Sequence, residues 1–375
     1  MIKISYLYSD ISKGGGIERI LTSKMNELSK YEDLDITLIN TQTLYNQFYK
    51  IDSTVNVINL GIDYKKKNLF SEIFFLPINL IEHIKKLNKY FIEYSPDIVV
   101  TVSGIESVII FFTNFKGKKI REIHFSKNYR KLQNQGVGFF KKVKISILNM
   151  IDKIVSKKYD KFIVLTLEDQ KNWNNNNVEV IYNFKTMESD EKSSLNSKNI
   201  ISVGRLDKQK GFDLLIDSWK QVHQKYPDWI LNIYGEGPER VNLEKKIQEY
   251  ELEKNIILHG VSKDIKKQYL NSVFYVMSSR HEGLPLVLLE ALEFGLPVIS
   301  FECPCGPKEI VIDNINGYLV PNYSTQQLSE KIIHLIENKD VCKFLSENAG
   351  NSIEKFSRNK VMNQWYELFI ELIQD

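Results

Sequence analysis

The stretch VFYVMSSRHEGLPLVLLEALEFG, Val273–Gly295, decides the fold of this chain, because a buried apolar run, a polar turn and an apolar helix follow one another without a break. Val273 to Met277 has the β-branched and aromatic content of a short buried strand. Glu282-Gly283-Leu284-Pro285 breaks from it. Pro285 then opens a helix expected to run to about Phe294, and Gly295 caps the end, matching the preference for proline at the first turn and glycine just past the last. The free amides of Leu286 and Val287 at this helix start form an anion-binding end, since unsatisfied N–H groups and the helix dipole both favour negative charge. Two carboxylates frame it, Glu282 in the loop and Glu290 eight residues on. That spacing is about two turns and ~12 Å, too far to share a proton but suited to the two ends of an extended ligand.

Working outward, the same alternation of short apolar runs and longer helical stretches extends over the whole chain, the pattern of parallel sheets wrapped by helices. One series of strands is expected at Ile2 to Tyr8, Ile36 to Asn40, Val55 to Leu60, Asp97 to Val102, Lys119 to Ile123, Lys161 to Leu165 and Val178 to Tyr182. A second runs Asn199 to Val203, Trp229 to Tyr234, Asn255 to Leu258, Val273 to Met277, Pro297 to Ser300 and Gly317 to Val320, with amphipathic helices such as Phe212 to Lys225 and Val241 to Glu253 between them. Thr186 to Lys198 is polar, Ser-rich and without period, and marks the boundary. At 375 residues the chain exceeds what one core usually serves, so two Rossmann-like domains are predicted, 1–185 and 186–353. The last segment, about 354–375, has the spacing of an amphipathic helix (Phe356, Val361, Trp365, Leu368, Phe369, Leu372) expected to pack back on the N-terminal domain.

Composition is that of an ordinary globular protein, 43% apolar and 26% charged. Residues Met1 to Tyr8 alternate like a strand and carry no secretory signal. Ile73 to Ile81 is too short, and Ile98 to Phe115 is broken by Glu106, for a span of ~20 residues, so the expectation is a cytoplasmic protein without a transmembrane helix. Cys303, Cys305 and Cys342 lack paired spacing and a neighbouring His cluster, which argues against disulfides and a zinc site. The net charge of +3 hides an asymmetry: residues 1–185 carry 28 basic and 19 acidic side chains, the remainder 22 and 28. Much of the excess lies in Lys116 to Lys144, ten basic residues against the single acid Glu122, with Phe139 and Phe140 inside. This run is either a solvated face or a contact with an anionic membrane surface.

Three further features suit a phosphate. Gly204-Arg205 and Lys210-Gly211 lie in a strand-to-helix loop, where open parallel sheets bind ligands, although alone either cation reads as a surface residue. Gly14-Gly15-Gly16 lies between the first strand and first helix, where glycine permits close backbone approach or a loop without a role. Asp33-Leu34-Asp35 matches an Asp-x-Asp metal pattern, but it sits far from the other motifs, and helix amides with two cations already neutralise a diphosphate; no metal is expected.

These motifs together, Glu282 to Glu290, Gly204-Arg205 with Lys210-Gly211, Gly235-Glu236-Gly237-Pro238 and Asn316-Gly317, resemble in order and spacing glycosyltransferase family 4, of the GT-B enzymes. The first half is similar more loosely, through the glycine loop with Glu18, His124 after a strand, and Val180-Ile181-Tyr182-Asn183. The resemblance implies an α/β GT-B fold, two Rossmann-like domains facing each other across a cleft, and a retaining transfer of a hexose or N-acetylhexosamine from a UDP-sugar, without cofactor, to a glycan or lipid-linked oligosaccharide acceptor in capsule or lipopolysaccharide biosynthesis. It implies Arg205 and Lys210 on the donor phosphates, Glu290 on the ribose, and Glu282 on the transferred sugar. Backbone at Gly204, Gly283, Leu284, Leu286 and Val287 would meet sugar and diphosphate oxygens, Gly15 and Gly16 would close from the other domain, Val261 would pack near the base, and His124 would sit beside the sugar and acceptor. Cys303-Pro304-Cys305-Gly306-Pro307-Lys308-Glu309 resembles the loop of members using UDP-galactose or UDP-N-acetylhexosamines. The rival readings are an epimerase or phosphorylase on the same architecture, or a non-catalytic binder. A dinucleotide-dependent dehydrogenase is disfavoured because no Gly-x-Gly-x-x-Gly follows the first strand.

Overall fold

The computed structural model describes residues 1–43, 47–64, 69–102, 104–133 and 138–374, and their side chains except at 69–77 and 133. The chain divides into two units. Met1–His124, Gly136–Tyr182 and Asn359–Asp375 make the first, and Phe125–Gln135 with Asn183–Arg358 the second.

In the first unit the strands β1 (Ile2–Tyr8), β2 (Leu34–Asn40), β3 (Asn56–Asn59), β4 (Ile98–Val102), β5 (Lys118–Glu122), β6 (Lys161–Val164) and β7 (Val178–Val180) form a parallel sheet in the order β3-β2-β1-β4-β5-β6-β7. Helices cover it because strands buried on both faces, such as the fully buried Ile98–Val102, need apolar partners on each side. On one face Leu7, Ile39 and Val99 pack with Leu87, Phe91, Ile109 and Tyr159. The C-terminal helix Arg358–Gln374 buries Val361, Trp365, Leu368 and Phe369 and belongs to this unit. Its Tyr366 hydroxyl donates to Asp33 at 2.6 Å, while Tyr366 stacks on Tyr31.

The second unit repeats the plan. Strands β8 (Asn199–Val203), β9 (Ile230–Tyr234), β10 (Ile256–Gly260), β11 (Phe274–Met277), β12 (Val298–Phe301) and β13 (Gly317–Val320) are parallel in the order β10-β9-β8-β11-β12-β13. Its core gathers Trp219, Leu215 and Phe212 from the Phe212–Lys225 helix with Ile200, Leu231, Phe274 and Ile299 from the strands. Both sheets therefore have the doubly wound order, with a topological switch between β1 and β4 in one and β8 and β11 in the other.

Two expectations need correction. Pro285 is the residue before the helix Leu286–Glu293, in extended conformation, rather than its first helical residue; its fixed φ suits either place, and here it turns the chain into the helix. The basic run Lys116 to Lys144 is not one surface. Arg121 is buried on β5, where alternation turns it inward onto Asp152 at 2.6 Å; Lys127, Arg130 and Lys131 belong to the second unit; and Lys141, Lys142 and Lys144 stand exposed on the helix Phe139–Ser156. Residues 134–137 of that run, and the side chains of 73–77 within Ile73 to Ile81, lie outside the described residues. Among the described residues no helix is long and apolar enough to cross a membrane.

The loop after β8 is shaped by its neighbours. Leu206 N–H donates to the Glu236 carbonyl at 2.9 Å and Glu239 N–H to the Leu206 carbonyl at 2.9 Å, so the Gly235-Glu236-Gly237-Pro238 turn braces it. A Cβ on Gly237 would strike the Leu206 carbonyl. Gly211 is in the left-handed region, φ +65°, and a Cβ there would strike the Ser278 carbonyl.

Gly211→Ala is accordingly expected to cost about 2 kcal/mol or more, read as a Tm lower by roughly 4–8 °C. Gly350→Ala is the control, since a Cβ there meets nothing within 4 Å and should leave Tm unchanged or higher. In the first unit Lys24 and Glu122 form a fully buried ion pair. Burial alone would raise the Glu122 carboxyl, but the Lys24 ammonium and His124 hold it down at about 2, from an ordinary 4.5. This contribution to stability is complete above the ordinary value and is lost as pH falls through about 2. Glu122→Gln strands a buried ammonium and should cost about 3–5 kcal/mol in urea unfolding at neutral pH, while flattening the acid limb of the stability profile.

Candidate functional site

The switch point of the second sheet lies between the neighbouring strands β8 and β11, and ligands of open parallel sheets sit at the carboxyl edge of such a point. The loops leaving β8 and β11 both carry residues singled out above, and they are stitched together. Arg280 N–H donates to the Gln209 carbonyl at 2.7 Å, Ser278 Oγ to the Lys210 carbonyl at 3.1 Å and Gln209 Nε2 to the His281 carbonyl at 3.0 Å. The Arg280 guanidinium grips Asp213 through both oxygens at 2.8 and 2.6 Å, which holds Asp213 below its ordinary value despite burial. Asp207 caps the turn Lys208–Lys210 by accepting from Lys210 N–H.

On this frame Lys210 Nζ donates to Glu282 Oε1 at 2.7 Å, and Ser279 Oγ donates to the same oxygen at 2.6 Å. The Glu282 side chain is 7% exposed and that of Lys210 21%. The aliphatic stem of Lys210 lies over Gly204, where a Cβ would press on it at 3.3 Å. Glu282 N–H donates to the Pro304 carbonyl at 3.2 Å, so the Cys303 to Glu309 loop supports the Glu282 turn from behind. Immediately after come Gly283 and the buried Leu284, then the half-buried Leu286 and Val287, whose amides begin the helix. At its far end Glu290 is buried, accepting from Tyr269 Oη at 3.0 Å and from Thr186 Oγ1 at 3.5 Å.

Gly204, Lys210, Glu282, Gly283, Leu284, Leu286, Val287 and Glu290 are thus brought together around one sheet edge and one helix. Arg205 stands apart from the Lys210 pair. Its side chain is 68% exposed and bonded through Nε to Asp207 at 2.5 Å, and with Asp207, Lys208, Arg280 and His281 it lines a cavity of about 740 Å³. Val261 is exposed just past β10. In the first unit, Gly15 precedes the helix Gly16–Leu28, and a Cβ on it would strike the Glu18 carboxylate, which accepts from Tyr8 Oη at 2.7 Å; Gly16 faces open space. His124 follows β5, buried, with Nε2 3.2 Å from Glu122 Oε1. Asp33 and Asp35 lie at the amino end of β2, bonded to Tyr366 and Asn56, at the opposite edge from the glycine loop.

Sequence reasoning missed Ser279, Tyr269 and Thr186, which fix the two carboxylates. Ser279, three residues before Glu282, was within reach of local reading; Tyr269 and Thr186 are brought in by the fold alone. It also passed over Glu106, which follows β4 at the switch point of the first sheet. Glu106 is fully buried, and burial pushes its carboxyl up to about 7 against the opposing pull of its own backbone amide and the Thr41 hydroxyl.

Residues 183–352 match the family model described as Glycosyl transferases group 1. The chain is 29% identical to an uncharacterized glycosyltransferase of Haemophilus influenzae, over 97% of this chain and 99% of that one. It is 27% identical to the amylovoran biosynthesis glycosyltransferase AmsD of Erwinia amylovora, over 98% and 99%. Among solved structures, a mutant of S. aureus TarM in complex with Fondaparinux, alpha-GlcNAc-glycerol and UDP shares the fold, with a TM-score of 0.76 at 18% identity over 98% of this chain and 100% of that one. The two sheets described above are therefore the two Rossmann-like halves of a GT-B architecture, and the second of them carries the match to the group 1 glycosyl transferases.

Proposed function

We propose that this protein is a family 4 glycosyltransferase that moves a hexose or N-acetylhexosamine from a UDP-sugar, with retention and without a metal, to a lipid-linked glycan during surface polysaccharide biosynthesis. The observation that carries the reading is the Lys210–Glu282 pair, 2.7 Å apart at the switch point beside the first amides of the Leu286–Glu293 helix. AmsD, named for amylovoran biosynthesis, and TarM, solved with UDP, support the substrate classes.

Breaking the anomeric bond places negative charge on the departing diphosphate and positive charge on the sugar. Helix amides from Leu286 and Val287, with Lys210, meet the first; the amides are set by the helix before any ligand arrives. An arriving diphosphate competes with Glu282 for the Lys210 ammonium. Glu282, still held by Ser279, then turns its acceptor oxygens to sugar hydroxyls. Glu290, set by Tyr269 and Thr186, accepts from the ribose, and Arg205 reaches the phosphates by exchanging Asp207 for them. Val261 offers an apolar surface to the base. We assign Gly15, Gly16 and His124 of the first unit to the same reaction, His124 on the acceptor side.

Purified protein given a UDP-sugar and a lipid-linked acceptor is expected to release UDP and a product of retained anomeric configuration. Lys210→Ala should lower kcat by about 10²- to 10³-fold, the cost of removing one preorganised donor, and Glu282→Ala should abolish transfer. Glu290→Gln should raise the donor KM more than it lowers kcat. Undiminished transfer by Glu282→Ala would overturn the site. Turnover without acceptor would indicate an epimerase, and turnover dependent on inorganic phosphate a phosphorylase.

A further inference from the structure

The helix Phe139–Ser156 in the first unit is attached to the protein along a narrow stripe. Val155 and Ser156 are buried, Ile145, Asn149 and Asp152 are half-buried, and the rest of the helix is exposed. Asp152 anchors it twice over: its carboxylate accepts from Arg121 Nη2 at 2.6 Å, and its carbonyl accepts from Arg121 Nη1 at 3.3 Å. At about 100° per residue, Ile145, Asn149, Asp152 and Ser156 fall within about 60° of arc. On the opposite side, within an arc of about 100°, lie Phe139, Phe140, Val143, Ile147, Met150 and Ile154, which are 75%, 89%, 41%, 48%, 57% and 51% exposed. Lys142 and Lys153 border this apolar face on one side and Lys144 on the other, while Lys141, exposed in the first turn, falls on the anchored side.

Exposed apolar surface of this extent marks an interaction site, and the flanking charge says which kind. A second copy of the same face would bring its own lysines beside these. Anionic lipid headgroups complement them, while the acyl boundary takes the phenylalanines. The helix is about 27 Å long and lies flat against its unit, so it fits the plane of an interface rather than a span.

We propose that the Phe139–Ser156 helix docks this protein on anionic membrane, its apolar face entering the headgroup boundary and Lys142, Lys144 and Lys153 meeting lipid phosphates. The inference stands on the helix alone and is independent of the transfer reaction. It replaces the continuous basic run read from sequence with a specific face, in which burial of Arg121 is the anchor rather than a lipid contact.

Flotation of the full-length protein with phosphatidylcholine vesicles, with and without phosphatidylglycerol, tests it. Binding is expected only with the anionic lipid and should weaken as salt rises from about 0.1 M to about 1 M. The double variant Phe140→Ser with Ile147→Ser should bind at least about tenfold more weakly, and Lys142→Ala with Lys144→Ala about fivefold more weakly per lysine removed. All four positions are exposed, so Tm should not move; the lysine variant supplies the answer if the apolar one does not fold. Wild-type protein that stays with the unbound fraction, or either folded variant floating as well as wild type, overturns the proposal. So does sedimentation showing a wild-type dimer that Phe140→Ser with Ile147→Ser converts to monomer without a change in vesicle binding, which would assign the face to a second copy.

Discussion

One ammonium and one carboxylate, Lys210 and Glu282, join the loops that leave the two central strands of the second sheet, and the surroundings are organised to bring them there. Each is contributed by a different strand-to-helix connection, so their meeting depends on β8 and β11 being neighbours. A partly buried ion pair is a poor source of stability, because desolvation offsets most of its attraction. What it does well is hold two charged groups ready for exchange. An anionic ligand can take the ammonium while the carboxylate keeps the Ser279 hydroxyl, so the cost of separating the pair is met by the bonds each then makes.

The supporting structure follows from the same requirement. The Gly235 to Pro238 turn fixes the backbone of Gly204 to Leu206, Gly211 lets the next helix start against the Ser278 carbonyl, and the Cys303 to Glu309 loop holds Glu282 by its amide. Gly235, Gly237, Gly211 and Pro304 themselves bring no charge to the ligand. They account for glycine and proline at positions where a side chain or a freer backbone would move the ion pair. The buried Lys24–Glu122 pair in the first unit plays a comparable part, setting the surroundings of His124.

Much of this was legible in the sequence because parallel strands buried on both faces leave unmistakable apolar runs. All thirteen strands among the described residues lie where those runs are, within a few residues at each end, and Phe212–Lys225 is a helix over the span its period indicates. The Glu282 to Glu290 segment was readable because Pro285, Gly295 and the two acids are local signals. The rest depended on contacts between distant residues. Nothing near Tyr269 or Thr186 announces that they serve Glu290, and a count of lysines between 116 and 144 cannot tell that Arg121 turns inward on β5. The pairing of Arg205 with Asp207 rather than beside Lys210 was hidden for the same reason: spacing along a loop does not fix where a long side chain points.

The most direct test of the central claim is a calorimetric comparison of UDP and uridine binding to wild-type protein and to Lys210→Ala. If the Lys210 ammonium and the helix amides form a diphosphate site, UDP binds wild type far more tightly than uridine does, and Lys210→Ala removes much of that preference while leaving uridine binding unchanged. Equal binding of UDP and uridine to the wild type, or a UDP preference untouched in Lys210→Ala, would contradict the account.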